Sequence, residues 1–160
     1  MRRELALALA VATGPAFAQV FGEWNEGPVP DAPALKTDAL VPIDIEGSDL
    51  RFGIDPASVS VGSDRVVRFV FVATSRSGTV NAFYEGVHCE RATYRLYARH
   101  SPSQGWRPVE AGWKPLNEGI EGRFAWQAAR AGICAGRVPG GTAAQIVQAL
   151  KTPPDRKMGF

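Results

Sequence analysis

Three observations predict an α+β domain. Short runs of β-branched and aromatic residues crowd residues 41–99, helical periodicity replaces them after residue 120, and the turns between the runs are brief. Connections this short cannot cross over a sheet, so consecutive strands pair antiparallel. The expected architecture is an antiparallel meander of about five to seven strands with two C-terminal helices packed on one face.

In chain order, residues 1–18 form a three-part export signal. Arg2 and Arg3 give the positive start, residues 5–13 (LALALAVAT) the apolar stretch, and Ala16-Phe17-Ala18 the small residues before a cut between Ala18 and Gln19. A buried N-terminal helix fits this ending less well. The apolar stretch is shorter than the ~20 residues a membrane span needs. Glu4 follows the arginine pair and the rest of a twin-arginine motif is missing. Residues 19–42 are rich in Pro, Gly and Asp and read as an extended arm. Two readings stand for it: an arm pegged to the body by Phe21 and Trp24, or a disordered leader.

The single domain is expected over residues 43–152, with strand signals beginning at Val41. Residues 41–45 and 50–54 are short strands bounded by Gly47-Ser48 and Asp55-Pro56, and residues 58–61 lead into a Gly62-Ser63-Asp64 turn. Residues 66–73 (VVRFVFVA) carry the strongest signal. Val67, Phe69 and Phe71 share one face, and Val66, Val70 and Val72 share the other with Arg68. Apolar character on both faces predicts a central strand covered on both sides. A turn at 75–78 returns the chain along 79–85, and residues 94–99 make a further strand with Tyr94, Leu96 and Ala98 opposite Arg95, Tyr97 and Arg99. Trp106 and Trp113 flank a candidate edge strand.

Residues 121–131 then read as a helix, with Phe124, Ala128 and Ala131 on one stripe and Gly132 just past its end. After Gly140-Gly141, Thr142 and Gln145 form a capping box for a second helix. Ala143, Ile146, Val147 and Leu150 are its apolar stripe, Lys151 sits at the favourable dipole end, and Pro153-Pro154 stop it. Residues 153–160 are expected to be a loose tail.

Cys89 and Cys134 are the two cysteines of the chain. In an exported protein they predict one disulfide, closing a loop worth ~4 kcal/mol of denatured-state entropy. A catalytic Cys89 beside His88 is the weaker reading, because adjacent strand residues point to opposite faces. A redox pair is a third. His88, Cys89, Glu90 and His100 match no zinc spacing, so no metal or cofactor is assigned.

The formal charge of +2 includes Arg2, Arg3 and Glu4 of the leader, leaving a near-neutral mature chain without a basic run for nucleic acid. No nucleophile elbow or phosphate loop is present, and no catalytic residue is assigned. Glu85, Glu90, Glu110, Glu118 and Glu121 are carboxylates whose pairing sequence does not fix; solvated surface groups are the plain reading. The candidate ligand surface is aromatic: Trp106, Trp113, Trp126 and Tyr97 with Arg95 and Arg99. The plainer reading is that the tryptophans cover an open end of the sheet, since large aromatics usually dominate core burial.

Over residues 52–150 the chain resembles the cryptic neisserial protein-like family of proteobacterial envelope proteins. The carriers are Ser58-Val59-Ser60-Val61-Gly62, residues 64–69, Ser77-Gly78, Tyr84-Glu85-Gly86-Val87-His88-Cys89, Leu96-Tyr97-Ala98, Trp106, Trp113 and Cys134. Trp24 with Glu23 and Glu26 suits the family's start. The resemblance implies export to the periplasm and one compact domain. It supplies no agreed activity or catalytic residues, so none is carried over. The family includes lipoproteins; the acylated cysteine they need is missing here. The expected function is a non-catalytic periplasmic binding or envelope-associated module whose partner, an envelope component or small ligand, the sequence does not name. The alternative is a periplasmic hydrolase using His88 or Glu85, which requires those side chains to converge in one pocket.

Overall fold

The computed structural model describes residues 24–152. The expected leader with its cut after Ala18, Phe21 and Glu23, and the tail 153–160 lie outside the described residues. Six strands follow one another across an antiparallel meander: β1 (Val41–Ile43), β2 (Arg51–Val61), β3 (Val67–Thr74), β4 (Val80–His88), β5 (Thr93–Ser101) and β6 (Gly105–Pro108). A seventh, β7 (Lys114–Pro115), pairs with the start of β5. Helix α1 (Gly119–Ala128) follows, then a π-helical turn (Ala129–Ile133), a small hairpin of β8 (Cys134–Ala135) and β9 (Val138–Pro139), and helix α2 (Ala143–Lys151). The α+β meander with two C-terminal helices is therefore the observed fold. Among the described residues, no helix is long and apolar enough to cross a membrane.

The sheet has two covered faces, as the apolar character of β3 predicts. On the helix face, Ile54, Phe69, Phe71 and Val87 meet Phe124, Ala125 and Ala128 of α1 and Ile146 and Leu150 of α2. Phe52 and Phe124 have ring centroids 4.8 Å apart, and Phe71 stacks on Phe124 at 5.8 Å. Each such ring contributes ~1.5–3 kcal/mol by leaving water. The Cys89–Cys134 disulfide ties the end of β4 to the chain beyond α1 and is buried in this layer. On the opposite face, Val70, Val72, Ala82, Tyr84, Tyr97 and Ala98 are covered by Ala32, Leu35 and Leu40 of the N-terminal segment and by Trp106 of β6. Residues 24–40 have no regular secondary structure. They form the second cover of the sheet, and this is hereafter the arm face.

Three local expectations change. Residues 50–54 and 58–61 belong to one strand, because β2 runs through Asp55-Pro56 with a bulge. The missing ladder bonds are replaced locally: Ser58 Oγ donates to the Asp55 carbonyl at 2.6 Å and accepts from Val70 N at 2.8 Å, and Asp55 Oδ1 accepts from Ala57 N at 2.9 Å. Pro56 is tolerated there because β1 pairs with β2 only at Phe52, Gly53 and Ile54, leaving that stretch at the edge. The alternation expected in β5 also breaks. Tyr84 pairs with Ala98 and Glu85 with Leu96, so Tyr97 is an extra, bulged residue. Tyr97 and Ala98 both reach the arm face, and Arg99 turns to the helix face beside Phe83. The first helix starts and ends earlier than residues 121–131, since the π-helical turn takes over at Ala129 and Gly132 leaves helical geometry at φ 145°. Helix α2 follows expectation, including its capping box: Gln145 N donates to Thr142 Oγ1, and Thr142 N donates to Gln145 Oε1 at 2.8 Å.

Candidate functional site

Arg68 is the outlier of β3, a guanidinium in an apolar strand and only 2% exposed. A charge so buried requires partners. The turn before β3 supplies Asp64, which takes Arg68 Nη2 at 2.6 Å and Nη1 at 3.2 Å. Asp64 also accepts from Gly27 N and Val66 N. The arm supplies Glu26. Its Oε1 accepts from Tyr97 Oη at 2.5 Å and Arg68 Nη2 at 3.2 Å, and its Oε2 accepts from Arg95 Nη1 at 2.5 Å and Trp113 Nε1 at 3.1 Å. Trp24 Nε1 donates to the Asp64 carbonyl at 3.0 Å. Two glycines make the room. A Cβ at Gly86 would strike the Tyr97 ring and hydroxyl, and one at Gly62 would strike Asp64 and Arg68.

The electrostatics follow from the donor count. Burial alone would raise the Glu26 and Asp64 carboxyls. For Glu26, the hydrogen bonds from Tyr97, Arg95 and Trp113 outweigh it; for Asp64, those from Arg68, Val66 and Gly27 do. Both therefore ionise below the ordinary carboxylate value. Burial opposes the Arg68 charge, but Asp64 more than restores it. Burial and the bond to Glu26 push the Tyr97 phenol up. This network fastens the arm to the sheet.

Beside it, Trp24 meets His88 at 4.6 Å and Trp113 at 5.3 Å, both edge to face. His88 Nδ1 accepts from Arg91 N at 3.3 Å, so the neutral ring carries its proton on Nε2. Burial, then Arg91, lowers the His88 pKa and keeps the ring neutral at neutral pH. Glu85 lies three residues earlier on β4 and so on the helix face. It is fully buried, with no hydrogen-bond partner for either oxygen among the described residues. Burial first, then the Glu121 charge, pushes its pKa up to about 8 against some relief from Arg99. His88 and Glu85 therefore do not converge, which removes the joint site that the hydrolase alternative required. Both sulfurs of Cys89 and Cys134 are consumed in the disulfide, and Glu90 is exposed beside Arg65 at 3.4 Å.

Of the six candidate ligand-surface residues, Tyr97, Arg95 and Trp113 converge on Glu26. Trp106 lies further along the arm face, its Nε1 donating to the Pro33 carbonyl at 2.8 Å and its ring edge to face with His100. Arg99 and Trp126 belong to the helix face. The rings named in the sequence thus cover the sheet rather than lining one shared groove.

An open concave surface lies at the rim of the helix face, a cleft of about 440 Å³. Leu50, Phe83 and Phe124 give it an apolar floor, and Arg99 and Arg107 stand on one wall. These two arginines are direct cross-strand partners in the β5–β6 ladder and share a face. Arg99 Nη2 donates to Glu121 Oε1 at 2.7 Å, with its guanidinium 5.4 Å from the Phe83 ring centroid. Arg107 has no ion-pair partner among the described residues. None of the described residues lining the cleft is acidic.

Sequence reasoning missed Glu26 and Asp64 as partners of Arg68, and Arg107 altogether. The first had a signal, since an arginine inside a doubly covered strand must bury an acid with it. The second had none, because the register that sets Arg107 against Arg99 follows a bulge that sequence does not mark.

No curated protein and no solved structure matches the chain. The family whose sequence model matches, over residues 21–151, is described as the CNP1-like family. That span takes in the arm, the whole meander and both helices. The chain belongs to the CNP1-like family.

Proposed function

We propose that this CNP1-like protein is exported to the periplasm and serves there as a non-catalytic binding module. The observation that carries the binding reading is the helix-face cleft, where apolar floor and unbalanced guanidiniums face solvent together. Pockets of this kind, an apolar surface with a few convergent polar groups, are where small ligands bind. The leader over residues 1–18 and a buried disulfide support export, since such bonds persist in oxidising compartments. The hydrolase alternative has less support, because His88 and Glu85 occupy opposite faces of β4.

Cell fractionation with N-terminal sequencing tests the first half. The expected product is a periplasmic chain beginning at Gln19; an uncut cytosolic chain would overturn export. Protein-observed NMR titration with peptidoglycan fragments and a periplasmic metabolite extract tests the second. The expected result is a ligand that perturbs Phe83 and Phe124, and a panel that perturbs nothing would overturn the binding reading.

A further inference from the structure

We infer that the helix-face cleft takes an amphipathic monoanion, a short-chain acyl or aryl carboxylate, with its acid group between Arg99 and Arg107. This rests on the binding reading above and names the ligand class. Three features select it. Like charges placed directly opposite on neighbouring strands repel, and Arg99 and Arg107 are so placed. Among the described residues, one carboxylate, Glu121, makes a salt bridge to the pair, and its partner is Arg99. An added anion therefore relieves a repulsion already present, and guanidiniums bind carboxylates through paired, charge-assisted hydrogen bonds.

The second feature is the floor. Phe83 is half-buried, Phe124 is buried, and Leu50 is 41% exposed. An inorganic anion would leave this surface wet, while an acyl chain or aryl ring would cover it. The third is size. A cleft of about 440 Å³ lies at the lower end of the range for small-molecule sites, and it is bounded by α1 on one side and β6 on the other. That suits a single free ligand rather than a bilayer surface.

The test uses the mature chain and four probes: octanoate, octanol, butyrate and vesicles of anionic phosphatidylglycerol. Chemical shifts of the Phe83 and Phe124 rings and the Arg107 side chain are followed in titration. Octanoate is expected to bind with a dissociation constant of about 1 mM or tighter, as the efficiency of small ligands allows. Octanol and butyrate are each expected to bind at least about tenfold more weakly. Arg107→Gln is expected to weaken octanoate about tenfold, by removing one charge-assisted contact, while leaving thermal unfolding cooperative. Arg107→Glu should abolish binding. Octanol binding as tightly as octanoate at the same rings would overturn the anion assignment and leave the binding reading standing. Butyrate matching octanoate would overturn the apolar half. Vesicle binding without monomer binding would overturn the choice of a free ligand. If none of the four perturbs the cleft, the inference falls alone should the metabolite titration still perturb Phe83 and Phe124, and both fall should it not.

Discussion

Glu26, its side chain 11% exposed, and Glu85, fully buried, lie on opposite faces of the same sheet and end with opposite protonation. Burial disfavours the charge of each. On the arm face, four donors converge on Glu26 and its carboxyl is held below the ordinary range. On the helix face no donor among the described residues reaches Glu85, and its pKa rises to about 8. Depth alone does not decide the state of a buried acid; the donors brought with it do. The two faces accordingly do different work. The arm face uses balanced charge, Glu26 and Asp64 against Arg68 and Arg95, to hold an unstructured arm in place. The helix face relies on apolar packing and a disulfide, and it carries one acid that packing alone does not satisfy.

The largest test of that contrast is Arg68. Arg68→Met should cost ~3–5 kcal/mol, because it strands Asp64 as a charge without a cation and takes one of the four donors from Glu26. The triple change Arg68→Met, Asp64→Asn and Glu26→Gln should recover part of that loss, since it removes the buried charges and leaves Arg95, whose side chain is 33% exposed, to be solvated. Urea unfolding checks both. A triple variant no more stable than the single one would show that the network holds the arm by shape rather than by charge balance.

Glu85 is next. Glu85→Leu should stabilise the fold by ~1–3 kcal/mol at pH 8, by replacing an unpartnered carboxyl with a packed side chain. The sign with pH is fixed. Between its ordinary value near 4.5 and about 8, the folded state keeps a proton that the unfolded chain has released. Wild-type stability therefore falls as pH rises through that window, by up to about 1.4 kcal/mol per pH unit, and levels off above it. His88, whose pKa is lowered, pulls the other way below its ordinary value of 6.5. The difference between wild type and Glu85→Leu isolates the Glu85 part. That difference should widen with rising pH, and a flat one would mean that Arg99 neutralises Glu85 from the rim.

Glu26 supplies the mirror image. Its lowered pKa gives stability that is complete above the ordinary carboxylate value and is lost as pH falls through the folded one. Glu26→Gln should cost ~1–3 kcal/mol at pH 7, since the neutral amide accepts fewer of the four donors. The cost should shrink in acid. Release of the arm would appear in the fluorescence of Trp24 and Trp113, which pack beside Glu26.

Much of this was legible in the sequence, and for local reasons. The double-sided apolar pattern of β3 marks the centre of the sheet, the Thr142–Gln145 pair marks the start of α2, and a chain with two cysteines leaves one intramolecular pairing. The strand boundaries around Asp55-Pro56 were not legible, because Ser58 replaces ladder bonds by a contact to Val70 that lies twelve residues away. Nor was the split of the aromatic surface. One bulged residue, Tyr97, sends Arg99 to the face opposite Arg95, and no residue type at that position announces a bulge. The Glu26 site was half-legible. Arg68 demanded a buried acid, but a partner 42 residues away in a segment without periodicity is chosen by tertiary packing alone.

The smallest effect concerns the rim of the helix face, where charge is unbalanced in the way the arm face avoids. Arg99 and Arg107 stand opposite one another, with Glu121 as the one carboxylate in salt-bridge contact with either among the described residues. Arg107→Gln should raise stability by ~0.2–1 kcal/mol in ligand-free protein, through relief of a cross-strand repulsion at an exposed position. Arg99→Gln removes the same repulsion but also the bond to Glu121 and the contact over Phe83, so its net change should be smaller or reversed. Salt should erode the gain from Arg107→Gln, since it screens exposed charges. A loss of stability on Arg107→Gln would place Arg107 among the groups that hold the fold, and the rim would then resemble the arm face instead of contrasting with it.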